Sequence, residues 1–86
     1  MAVYSIFFKD SVRKDLDSIA KNDLQRVIER IRNLAEDPRP VGCEKLSAQE
    51  KYRVRQGNYR IICSIQDTEL TVWVVKVGHR REVCRR

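Results

Sequence analysis

Hydrophobic and polar positions follow two different rhythms along this chain. Residues 3–8, Val3-Tyr4-Ser5-Ile6-Phe7-Phe8, are apolar nearly throughout, which predicts a short strand covered on both faces. From Val12 the period lengthens to that of a helix. Val12, Leu16, Ile19 and Ala20 share one stripe, and Asp10 or Ser11 is placed to cap it. Asn22 and Asp23 interrupt that stripe and offer a cap to a second helix carrying Leu24, Val27, Ile28, Ile31, Leu34 and Ala35. Asp37-Pro38-Arg39-Pro40 ends it, since proline does not suit a helix interior. Residues 41–48 read as a connecting loop ending near Lys45-Leu46. Both stripes are core-facing, and the charged faces between them are solvated helix surface.

The rhythm then shortens to two. Residues 52–62, Tyr-Arg-Val-Arg-Gln-Gly-Asn-Tyr-Arg-Ile-Ile, read as two strands joined by Gly57-Asn58, a two-residue hairpin loop. That loop pairs Gln56 with Tyr59, Arg55 with Arg60, Val54 with Ile61 and Arg53 with Ile62. Directly paired residues share a face, so Tyr52, Val54, Ile61 and Cys63 lie on one side and Arg53, Arg55 and Arg60 on the other. Like charges placed opposite each other destabilise a sheet, so three stacked arginines point to an anionic ligand.

The second hairpin strand continues to Ile65, turns at Asp67-Thr68-Glu69 and returns as residues 70–77. That last strand is apolar on both faces and therefore reads as central. Gly78 releases the chain into a basic tail over residues 79–86. The order β-α-α-β-β-β predicts one α+β domain over residues 1–86, a two-helix hairpin packed on a mostly antiparallel twisted four-stranded sheet. The helices cover the face of Val54 and Ile61. Arg53, Arg55 and Arg60 stay on the open face, where Arg80 and Arg81 join them if the tail folds back.

Composition adds a partner class. The 86 residues are 42% hydrophobic and 35% charged, an ordinary globular balance without a membrane-length apolar run. No basic leader or cleavage site precedes the first strand. Cys43, Cys63 and Cys84 are an odd count without paired spacing. That suits a reducing cytoplasm and argues against a disulfide framework or a zinc site. Residues 1–50 hold nine Lys/Arg and nine Asp/Glu, so the whole net charge of +6 falls in residues 51–86. Such segregation favours a phosphate-rich partner or an acidic protein.

Phosphate loops, HExxH, CxxC and nucleophile elbows do not occur, and a single histidine excludes a paired-histidine ribonuclease mechanism. What remains is arginine. Guanidinium binds phosphate bidentately and stabilises the extra negative charge of a pentacovalent phosphorane. These residues support two readings: a nucleic-acid-binding module, or a ribonuclease acting by charge stabilisation. No cofactor or metal is called for by either.

Tyr52-Arg53-Val54-Arg55, Gly57-Asn58-Tyr59-Arg60-Ile61-Ile62 and Val74-Val75-Lys76-Val77-Gly78-His79-Arg80-Arg81-Glu82-Val83 together resemble the RelE/ParE superfamily of toxins. Asp37-Pro38-Arg39 and Lys45-Leu46 match as well. The basic set is similar to the RelE branch, whose members cleave messenger RNA in the ribosomal A site. The ParE branch shares the fold but acts as a gyrase poison. The resemblance implies a cytoplasmic endoribonuclease toxin with the ribosome, messenger RNA and a cognate antitoxin protein as partners. It implies that Arg53 and Arg55 orient the RNA backbone, that Arg60 stabilises the phosphorane and that Arg80 lies near the leaving 5′-oxygen. Lys45, Lys51, Arg81, Cys84 and Arg85 complete the implied RNA-binding set. Two positions depart from the family. Arg53 and Arg55 stand where some relatives have lysine, and Cys84 stands where tyrosine is frequent. A lost aromatic stack is worth roughly 1–3 kcal/mol per base, which implies weakened cleavage.

Overall fold

The structure, a computed structural model, describes residues 3–46 and 51–83. The elements are β1 (Ser5–Phe8), α1 (Val12–Asp17), α2 (Lys21–Asn33), β2 (Glu44–Leu46), β3 (Lys51–Gln56), β4 (Tyr59–Gln66), β5 (Thr71–His79) and α3 (Arg80–Val83). A single 3-10 turn, Asp67–Glu69, joins β4 to β5. The strands form one sheet in the order β1-β5-β4-β3-β2, with β1 parallel to β5 and the other pairs antiparallel. The fold is therefore α+β, with five strands rather than the expected four.

The fifth strand is β2. Residues 44–46 read as loop because Glu44-Lys45-Leu46 carries almost no apolar signal. An edge strand needs only the backbone of β3, and Lys45 pairs with Tyr52 and Glu44 with Arg53. The expectation of two covered faces for the first strand is also corrected. β1 is an edge strand, and Phe7 and Phe8 are exposed.

The hairpin forms in the expected register, from Gln56↔Tyr59 through Arg53↔Ile62. Gly57 takes φ +59°, a conformation costly for residues with a Cβ, and Asn58 does not, the pattern of a II′ turn. Alternation then decides burial. Val54, Ile61, Cys63, Ile65, Val72, Val74 and Val77 form the core with Val12, Ile19, Val27, Ile31 and Leu34 from the helical layer. Leu16, Leu24 and Ile6 pack at its rim. α1 starts at Val12 behind Ser11 as expected, whereas the start of α2 differs from expectation. α2 begins at Lys21, with Ala20 extended before it at ψ 146°, and neither α1 nor α2 has a side-chain cap at its N-terminus.

One irregularity bears on the site. Ile62 faces Lys76 and Cys63 faces Val74, so Val75 is an extra residue in β5. This bulge lets Val74 and Val77 both point to the core although they are three apart. Beyond Val74 the β1 edge of β5 has no strand partner among the described residues, and the Val77 N–H donates to Asp15 Oδ2 of α1 at 3.1 Å. Lys76 Nζ lies 3.6 Å from the same carboxylate. The chain is thus fixed to the helical layer just before Gly78.

At the other end of the sheet Asp67 gathers three elements. It accepts from Tyr4 Oη at 2.7 Å and from both terminal nitrogens of Arg39 at 3.1 Å, while Arg39 stacks over the Tyr52 ring. Arg39 and Tyr4 hold the Asp67 carboxyl below the usual carboxylate range. A depressed folded-state pKa gives stability that is present above the unfolded value and lost as pH falls through the folded one. Asp67→Asn is therefore expected to lower the melting temperature by a few degrees at neutral pH, modest because the pair is exposed. The gap to wild type should close as the pH drops below the carboxylate range. A pH-independent gap in parallel thermal melts would show that Asp67 acts otherwise.

Candidate active site

The helical layer covers one face of the sheet and leaves the other carrying Lys51, Arg53 and Arg55 from β3, Arg60 from β4 and Glu44 from β2. Four of the nine sequence-derived site residues, Lys51, Arg53, Arg55 and Arg60, come together there. Their environments differ, and the differences assign separate capacities.

Arg60 is the most constrained. It pairs with Gly78 across the β4–β5 ladder, and a residue without a side chain leaves room for a neighbouring guanidinium. Arg60 is only 7% exposed. Its Nη1 donates to Gly57 O at 3.1 Å and to Tyr59 O at 2.9 Å. Both Nη1 hydrogens are thereby engaged, which leaves Nε–H and Nη2 uncommitted among the described residues. These are the donors of a bidentate phosphate contact. The expectation placed Arg60 on the open face, which the register bears out. Its near-complete burial was not expected.

Arg53 is engaged differently. Its Nε donates to Glu44 Oε1 at 3.1 Å, and Nη2 makes an ion pair with the same oxygen. Arg53 holds the Glu44 carboxyl below its ordinary range. Glu44 was missed from sequence because it lies in the segment read as loop. It is the one carboxylate on the strand positions of this face among the described residues. Arg55 is exposed and directly opposite Arg60. Lys51 is exposed on the same face.

The tail residues are held close to the hairpin by backbone. The Arg80 N–H donates to Asn58 O at 2.7 Å, tying the start of α3 to the turn two residues before Arg60. Arg80 and Arg81 are exposed at this end. His79 pairs with Tyr59, on the face opposite Arg60, and its Nδ1 accepts from the Arg81 N–H at 3.2 Å. That removes it from the proton chemistry of the arginine face. Lys45 is not brought into the cluster: it pairs with Tyr52 and so belongs to the helix side of the sheet at its β2 edge. Cys84 and Arg85 lie outside the described residues. Burial pushes the Cys63 thiol up to about 12, which makes it inert as a nucleophile.

Anchored and free guanidinium groups beside a carboxylate are suited to a phosphodiester. The anchored group offers a fixed fork, the free one adapts, and the carboxylate accepts protons. Among the described residues no helix is long and apolar enough to cross a membrane.

Comparison with known proteins identifies the family. The family described as ParE toxin of type II toxin-antitoxin system, parDE, matches residues 6–84. Toxin RelG of Mycobacterium tuberculosis is 29% identical over 85 residues, covering 96% of this chain and 98% of the relative. The crystal structure of the toxin–antitoxin complex RelBE2 from the same organism matches with a TM-score of 0.83 at 29% identity, over 93% of this chain and 94% of that one. The archaeal RelE–RelB complex from Pyrococcus horikoshii OT3 matches with a TM-score of 0.79 at 25% identity, over 91% and 96% of the two chains.

Proposed function

The chain belongs to the family of ParE toxins of type II toxin–antitoxin systems, within the RelE/ParE superfamily, and from its arginine face and its likeness to toxin RelG we propose that it is an endoribonuclease that cleaves messenger RNA on the ribosome. The reading rests chiefly on Arg60, whose guanidinium is fixed by two backbone carbonyls while its Nε–H and Nη2 make no hydrogen bond among the described residues. A guanidinium fixed before the reaction stabilises developing charge without reorganising at the moment of attack. In the reaction the ribose 2′-hydroxyl attacks the adjacent phosphorus, and the bond to the 5′-oxygen breaks. A 2′,3′-cyclic phosphate and a 5′-hydroxyl result. Arg60 binds the phosphorane oxygens, Arg55 and Lys51 hold the flanking backbone, and Arg80 faces the departing 5′-oxygen. Arginine is a poor proton acceptor, since its pKa exceeds about 12. Glu44 accepts the proton of the 2′-hydroxyl, with Arg53 fixing its orientation, and water supplies the proton taken up by the leaving oxygen.

A cognate antitoxin completes the system, by analogy with the antitoxin-bound relatives, and silences the toxin by covering or distorting this basic face. The relevant experiment offers purified toxin a programmed ribosome and maps the cuts by primer extension. Cleavage of the message with 2′,3′-cyclic phosphate ends is expected. Uncut message together with blocked gyrase supercoiling would move the chain to the gyrase-directed branch. RNA binding that weakens with salt and leaves the RNA intact would reduce it to a binding module.

A further inference from the structure

The open face does not end at the arginines. Phe7 of β1 pairs with Trp73 of β5, and Trp73 pairs with Ser64, which pairs with Lys51. One row across the sheet therefore reads Phe7, Trp73, Ser64, Lys51. Val72 and Val74, on either side of Trp73, are fully buried, so Trp73 points away from the core. The Phe7 and Trp73 rings stack with centroids 5.1 Å apart and an interplanar angle of 27°. Both rings keep a free surface on this face: Phe7 is 46% and Trp73 38% exposed.

We propose that the Phe7–Trp73 pair is a base-stacking platform for single-stranded RNA lying along the open face. The proposal deepens the functional reading of this face by adding an aromatic subsite to the phosphate contacts. Three observations select RNA as the occupant. The rings share a face with Lys51, Arg53, Arg55 and Arg60, with Lys51 in their own row, so the platform lies on the same surface as the phosphate ligands. Ser64, opposite Trp73, and Arg60 are four residues apart on β4, about 13 Å at strand spacing. That separation suits a base on the rings belonging to a nucleotide near the one whose phosphate Arg60 holds. Finally, basic grooves interleaved with flat aromatic surfaces bind single strands without demanding a sequence, because every base has a π-face. The platform also supplies the aromatic surface that Cys84 does not.

Trp73 is the only tryptophan in the chain, so its emission reports directly on this site. The probe is an oligoribonucleotide of about ten residues with every 2′-oxygen methylated, which blocks cleavage and separates binding from catalysis. Titration into the full chain is expected to quench Trp73 emission with the same midpoint as the anisotropy of a labelled copy of the probe. Trp73→Leu should weaken binding by about tenfold, equivalent to ~1.4 kcal/mol. An abasic residue at one position of the probe should cause a comparable loss in the wild type and none in Trp73→Leu. Saturable RNA binding without quenching would overturn the proposal, as would quenching by an acidic peptide and not by RNA. Cleavage on programmed ribosomes without quenching would remove the platform and leave the nuclease reading standing. Quenching without cleavage would do the reverse.

Discussion

Arg60→Ala is expected to lower the single-turnover cleavage rate on programmed ribosomes by roughly 10²–10³-fold, the scale of losing one positioned donor to a developing oxyanion. Ribosome binding should fall much less. The reason lies in what holds the guanidinium. Gly57 O and Tyr59 O take both Nη1 hydrogens, so the group is oriented before substrate arrives and its uncommitted Nε–H and Nη2 gain most when the phosphorane forms. Arg60→Lys should recover little, because an ammonium keeps the charge but cannot hold two carbonyls and a phosphate in one plane. Arg55→Ala should be milder, since an exposed side chain is oriented by the RNA and contributes to binding and chemistry alike. Comparable losses in ribosome binding and no change in the single-turnover rate for Arg60→Ala would reduce Arg60 to an RNA clamp. Thermal melting of each variant separates these outcomes from unfolding.

The difference between Arg60 and Arg55 also marks how far the sequence could be read. Gly57-Asn58 fixes the hairpin register, and register fixes faces, so the placement of Arg53, Arg55, Arg60, Val54 and Ile61 was legible in the order of residues alone. Depth was not legible. Arg60 lies opposite Gly78, and that pairing depends on the bulge at Val75. Strict alternation through residues 70–77 does not reveal a bulge; it shows only apolar residues on both faces. The edges were obscure for a different reason. An edge strand such as β2 needs only backbone hydrogen bonds on one side, so Glu44 was hidden as a ligand of Arg53. β1 shows the converse: an apolar run signals covered faces whether or not a partner lies over it. The resemblance to RelE-branch toxins supplied roles for the arginines but passed over the Glu44 carboxylate and the Phe7–Trp73 stack, which only the assembled sheet displays.

Gly78→Val tests whether Arg60 works through its position. Directly opposed residues in an antiparallel pair have Cβ atoms about 5 Å apart on one face, so a valine side chain at 78 would stand directly beside that of Arg60. Valine suits a strand, and the backbone here is secured by the Asp15 contact to Val77 and the Arg80 contact to Asn58. The sheet should therefore persist while the guanidinium is displaced from Gly57 O and Tyr59 O. A loss of roughly 10²-fold in single-turnover rate is expected, approaching the removal of the side chain itself. Gly78→Ala should fall between wild type and valine. The decisive variant combines Gly78→Val with Arg60→Ala. Two changes that act through one group are not additive, so the double variant should be no slower than Arg60→Ala alone. Multiplying losses in the double variant would mean that Gly78 serves the reaction by another route, such as the path of the chain into Arg80, and that the fit between Gly78 and Arg60 is incidental to catalysis.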